Sequence, residues 1–354
     1  MTRSASPQEL SRGANGGVGE VETRDEFLHP HRADQESWCE SFYWDWHDAS
    51  GERAGHCRFS VHPGELRSWL SLYLFRDGEW IAIDEPRLAA DRLENEPLGW
   101  AGFGLEFRHD VTEPLKASRL RVAGWGRALS GPRAGEVIPV TVDLAITGVC
   151  APQANEAGIG SGRFEQPTSL RGTIAVGGNA RSCEALPFEG LGARDHTWGP
   201  RSWNMEWENL SLHGPAEHLR ASIIKIPNVG RFASGYLLGK SWLPVAEADF
   251  RLGGLGGSDE WSPFRRMGSE ELPPPSPLSS RSSGSATIKT GDGTLVTGRI
   301  EPLSSVEIDI SHTDVAAERS RCVQTLVRFH LEGTKRKRSR RRLLGWLETN
   351  HFLP

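Results

Sequence analysis

Asp195 and His196 stand side by side within Gly190–Trp207, GLGARDHTWGPRSWNMEW, a segment dense in acids, arginines and indoles. A carboxylate beside an imidazole can orient the ring, hold a tautomer or raise its pKa, which suits general acid–base work. Neighbours on a strand point to opposite faces, but in a glycine-flanked turn both can reach one pocket. Glu206 is a second candidate acid or base. A purely architectural reading of the same residues stays open. In it Asp195 and Arg194 tie the turn down, His196 caps a neighbouring strand, and Asp195 pairs with Arg194 or Arg201.

Trp44, Trp46, Trp198, Trp203 and Trp207 weigh toward a ligand, because a chain with 13 tryptophans carries more indole than a core of this size ordinarily uses. Indole faces suit planar, polyene or developing cationic ligands. The plainer alternative is core packing.

Other chemistries find little support. The five cysteines are scattered, odd in number and without a C-x-x-C pair, so they offer neither a zinc site nor a disulfide framework and fit a reducing cytoplasm. His29 and His31 read as surface residues, and His56 and His62 as strand-end residues, so no metal is expected. Gly13–Gly19 and Gly253–Gly257 do not link a strand to a helix as a phosphate loop would. No G-x-S-x-G occurs. A net charge of −5 argues against nucleic acid as partner. No apolar run approaches the roughly 18 residues of a membrane helix, and the N-terminus lacks a signal-peptide pattern.

The elements that must position these residues are strands. Forty glycines and 22 prolines with almost no 3.6-residue apolar period predict an all-β chain. Trp38–Trp46 alternates, with Phe42, Trp44 and Trp46 on the face of Glu40, and Val137–Ile146 alternates as cleanly. Residues 1–26 read as disordered and 27–155 as a first β domain. The polar stretch 151–168 marks the boundary, and 156–354 form a second domain. Within it, about 253–285 read as a Pro/Ser-rich loop and 335–342 (KRKRSRRR) as a basic hairpin loop.

The segment GLGARDHTWGPRSW resembles the Asp-His-x-Trp-Gly motif of the lipocalin-like superfamily that includes carotenoid 1,2-hydratase, AttH-like proteins and fungal Diels–Alderases. ESFYWDWHD and GWLETNH are similar to its early aromatic strand and closing segment. The resemblance implies two lipocalin-like antiparallel β-barrel or sandwich domains packed side by side. It also implies a small hydrophobic substrate, no cofactor, and hydration or cyclisation of an isoprenoid or polyene as in secondary metabolism. On that footing Asp195 and His196 fall on the motif's polar pair and Trp198 on its indole. Asp195 would protonate an alkene or epoxide, or orient His196. Arg201 and the five tryptophans would hold the substrate. The rival expectation is a non-catalytic carrier of a hydrophobic ligand.

Overall fold

A computed structural model describes residues 21–30, 37–154, 162–177, 185–201, 205–239, 241–251, 283–308, 310, 320–332 and 342–352. Trp203, residues 1–20, most of the Pro/Ser-rich stretch (253–282) and most of the basic run (335–341) lie outside them. Apart from three single-turn 3-10 segments, the regular structure described is β throughout, as the alternating pattern predicts.

The first sheet runs β1 (Trp38–His47), β2 (Arg53–His62), β3 (Arg67–Arg76), β4 (Glu79–Ala89), β5 (Leu93–Asn95), β6 (Leu98–Gly102), β7 (Leu105–Glu113), β8 (Ala117–Ala128), β9 (Val137–Gly148), β10 (Gln153–Ala154), β11 (Gly162–Val176) and β12 (Ala185–Pro200). Antiparallel pairing takes β1 through β2, β3, β4, β8, β9, β11 and β12 back to β1, so the sheet closes on itself. One seam is slight: β4 meets β8 through only Ile81↔Ala128 and Ala82↔Arg127. The second sheet is a closed barrel of β13 (Glu206–His213), β14 (His218–Ile226), β15 (Gly230–Leu238), β16 (Trp242–Arg251), β17 (Gly284–Thr290), β18 (Leu295–Ile308), β19 (Ser320–Leu331) and β20 (Arg342–Phe352).

Period-two alternation sorts the apolar residues into three cores. Phe42, Trp44, Trp46, Phe59, Phe107 and Leu144 fill the first barrel. Leu210, Ile223, Phe250, Phe329 and Leu347 fill the second. A third cluster, including Cys39, Trp69, Trp80, Trp207, Leu326 and Trp346, packs the barrels against each other. β1 is therefore buried on both faces. Its even positions point into the first barrel, and its odd positions, Cys39 to Asp45, point toward the second.

Two expectations change here. The boundary anticipated at 155–156 falls inside the first sheet, because β11 and β12 complete that barrel and the second starts at Glu206. Composition misleads at this point: Glu165 and Gln166 are polar but buried against charged and amide partners. The glycine-flanked segment around Asp195 is also no turn. It is the second half of β12, paired with β1 from Trp38↔Pro200 to His47↔Leu191. Gly192 serves a different end, since a Cβ there would sit 1.9 Å from the Asp45 carbonyl oxygen. Its bare backbone lets β12 lie flush on β1.

Candidate active site between the barrels

Residues directly opposite each other in an antiparallel pair share a face. The register Phe42↔His196, Tyr43↔Asp195 and Trp44↔Arg194 therefore places Asp195 with Tyr43 on the outer face, and Arg194 and His196 on the inner one. The acid and the imidazole of the motif do not meet in one pocket. A strand, unlike a turn, separates neighbours by about 180°.

Asp195 opens onto a cavity of about 100 Å³ between the two barrels. Arg163 NH2 at 2.9 Å and Arg220 NH2 at 2.8 Å both donate to its Oδ2. Burial works against ionisation, but Arg163 and Arg220 outweigh it and hold the carboxyl below the usual range. Asp195 is thus an ionised anchor, not the proton donor expected. Glu165 completes a closed cluster, 2.9 Å from Arg163 Nε and 2.9 Å from Arg220 Nε. Arg201 lines the same cavity, its pKa pushed down to about 10, first by burial and then by Arg58. It remains a cation at neutral pH.

Beside this cluster on the same face stand Tyr43 and Asp45 of β1, with Trp207, Trp346, Met205 and Ile224 as apolar lining. The Tyr43 hydroxyl accepts one long hydrogen bond, from Gln324 Nε2 at 3.5 Å. Burial, then the neighbouring Asp45 and Glu348, lift its pKa well above the ordinary phenol value, so it keeps its proton and can donate. Asp45 Oδ1 accepts from the Ala193 backbone N–H at 2.9 Å, while Oδ2 is buried with no partner. Arg220 NH1, Glu165 Oε2, Gln324 Oε1 and Trp346 Nε1 are buried without partners as well. These atoms line one void, where a water or a ligand's polar group can satisfy them. His213 backs Asp45 at 3.5 Å and Ser211 at 3.0 Å. Both meet the same nitrogen, Nε2, so the three do not form a nucleophilic triad.

The other expected site residues disperse. Trp207 lines the cavity, its Nε1 donating to Glu348. Trp44 and Trp46 are 1% and 0% exposed inside the first barrel, which makes them core and not substrate walls. Glu206 lies at a rim of the second barrel, accepting from the Phe352 N–H at 3.0 Å and 3.9 Å from Lys225 Nζ. Arg194 pairs with Glu26 on the inner face instead of with Asp195. Arg194 outweighs the effect of burial and holds the Glu26 carboxyl below its usual range.

His196 belongs to a second cluster at the mouth of the first barrel. Its Nε2 is 2.9 Å from Glu40 Oε1 and its Nδ1 is 2.7 Å from the Asp25 carbonyl oxygen. His29 joins it, with Nδ1 2.9 Å from the same Glu40 oxygen and its ring stacked on Trp198 at 4.1 Å. His29 is therefore a packed, partnered residue and not the surface residue expected. Among the described residues His29, Glu40 and His196 form a group whose ligating atoms lie within 4.8 Å of one another. Above Phe42 a further cavity of about 290 Å³ lies between residues 26–28 and β6–β7, walled by Phe27, Leu28, Leu98 and Val111 with His109 among its lining.

Sequence reasoning missed Tyr43, Asp45, Arg163, Glu165, Arg220 and Gln324. The signal for the first two was present, because Ser41, Tyr43 and Asp45 form the polar face of a strand whose other face is aromatic.

No curated protein matches the sequence. In solved structures the same architecture recurs. The crystal structure of CghA matches with a TM-score of 0.51 at 8% identity, over 90% of this chain and 88% of that one. CghA with Sch210972 matches with a TM-score of 0.51 at 8% identity, over 90% and 89%. Kievitone hydratase from Nectria haematococca gives 0.52 at 12% identity, over 92% and 93%. At the level of fold, these matches bear out the resemblance carried by the Asp-His-x-Trp-Gly segment. The sequence model of a domain of unknown function, DUF7064, matches residues 22–252, more than half of the chain and all of the first barrel, and the chain belongs to that family.

Proposed function

We propose that the chain is a lyase or isomerase that hydrates or cyclises an apolar isoprenoid or polyene substrate between its barrels, using acid–base groups of its own. The reading is supported by a fold shared with CghA and with kievitone hydratase. The observation that carries it is the cavity holding an unpartnered Asp45 Oδ2, an unpartnered Arg220 NH1 and the Tyr43 hydroxyl. Asp45 gives a proton to an alkene carbon and takes one back from the water that adds to the resulting cation or, in cyclisation, from a carbon beside it. The Trp207 and Trp346 indoles flank the carbon skeleton and its positive charge, and Tyr43 and Arg220 donate to a carbonyl oxygen where the substrate carries one. Asp195 and Glu165 hold Arg220 in place. His196 takes no direct part.

The test is turnover on a panel of prenylated phenols and polyenes followed by mass spectrometry. Hydration adds the mass of one water; cyclisation changes retention at constant mass. Asp45→Asn and Tyr43→Phe should each lower kcat by about 10²-fold or more with the circular dichroism spectrum unchanged. Wild-type turnover in both variants would sink the assignment. The carrier reading is favoured by the larger 290 Å³ space at the first barrel's mouth, partly walled by Phe27, Leu28, Phe42, Leu98 and Val111. Native mass spectrometry separates the two, since a carrier releases its ligand unchanged.

A further inference from the structure

The cluster of His29, Glu40 and His196 presents a proton-counting problem. The Asp25 carbonyl oxygen can only accept, so the His196 Nδ1 facing it at 2.7 Å carries a hydrogen. A neutral ring then has a bare lone pair on Nε2, and that lone pair points at Glu40 Oε1, 2.9 Å away. His29 repeats the pattern. Its Nε2 faces Asp25 Oδ1 at 3.3 Å and its Nδ1 faces the same Glu40 oxygen at 2.9 Å. Neutral imidazoles so arranged aim electron pairs at one carboxylate oxygen, across ring centroids 5.6 Å apart, and one divalent cation between them would answer both.

The arrangement behind the rings favours the cation. Metal-bound histidines commonly donate their remote N–H to a carboxylate or a backbone carbonyl. Here Asp25 supplies both, its carbonyl to His196 and its carboxylate to His29. Phe42 stacks on His196 at 3.9 Å and Trp198 on His29 at 4.1 Å, fixing both rings. We propose that His29, Glu40 and His196 bind a divalent transition-metal ion of the zinc class, which clasps residues 21–30 onto the mouth of the first barrel. Two imidazoles and one carboxylate are a donor set that suits zinc, whose ligand bonds are about 2.0–2.2 Å. The three ligands come from the leading segment, β1 and β12, so the ion joins pieces distant in sequence.

The test uses the full chain, purified without chelator, in three measurements. Elemental analysis should find one zinc per chain. Cobalt(II) added to stripped protein should show the visible bands of a four- or five-coordinate ion. Chelation should speed tryptic cleavage after the exposed Arg24 by about tenfold or more, and zinc should restore protection. Glu40→Gln and His29→Gln should each abolish the cobalt bands. His29→Gln keeps the test sharp if Glu40→Gln fails to fold, because His29 lies in the leading segment outside the barrel wall. A chain that binds neither zinc nor cobalt would overturn the proposal. So would cobalt bands unchanged in His29→Gln.

Discussion

At the scale of single residues, the molecule keeps several histidines uncharged in its interior. Burial lowers His47 to about 4, first by desolvation and then by His213 beside it. It lowers His56 to about 3 and His218 to about 3. The unfolded chain takes up protons at these positions near pH 6.5, and the folded chain only near pH 3 to 4. Between those limits the unfolded state binds more protons, so stability is full above about pH 6.5 and declines as the pH falls. Each fully buried histidine contributes roughly 1 kcal/mol per pH unit to that decline. Urea midpoints measured from pH 7.5 to 4.5 should fall accordingly. His56→Phe, placed between Tyr73 at 5.0 Å and Trp346 at 5.5 Å, should make the slope shallower. A slope identical to wild type would locate the acid sensitivity elsewhere. None of this was legible in sequence, where His56 reads as an ordinary strand-end residue. Asp195 was legible as a site residue and its charge state was not, because Arg163 and Arg220 reach it from 32 and 25 positions away.

At the scale of elements, the contact of β1 with β12 positions the chemistry. Gly192 lets the Asp45 carbonyl approach, and the Ala193 N–H holds the Asp45 side chain. Gly192→Ala should push the strands apart, shift Asp45 and lower both the melting temperature and kcat. An overpacked interior methyl typically costs about 1–3 kcal/mol, readable by urea denaturation. A variant as stable and active as wild type would show that the close approach is dispensable. Alternation made the strands readable, most plainly Trp38–Trp46 and Val137–Ile146. It also placed Glu40 on the aromatic face, where the structure has it. Strand ends are less readable: Phe103 sits at a left-handed turn position (φ 52°) ahead of β7, which no apolar pattern marks. The first half of β11 hid within a polar stretch because Glu165 and Gln166 are buried against Arg163 and Arg194, which a hydropathy pattern does not register.

At the scale of the whole molecule, the barrels meet through a mixed seam, with aromatic packing around Trp80, Trp207 and Trp346 and a charged cavity beside it. About 100 Å³ holds a few waters, whereas ligand pockets commonly span about 300–1,000 Å³. A substrate of isoprenoid size therefore requires the barrels to part. Hydrogen exchange at β13 and β20 should quicken in the free chain relative to the interior of the second barrel, and slow when substrate binds. Equal protection with and without substrate would place binding elsewhere. The closure of the first barrel by β12 also bears on biosynthesis. Asp45 and its partner Ala193 are separated by 148 positions, so β1 leaves the ribosome long before the strand that covers its edge. At translation rates of roughly 5–20 residues per second, the wait is on the order of ten seconds. Throughout it the tryptophan-rich edge of β1 lacks the strand that covers it in the finished barrel and is a template for pairing with other chains.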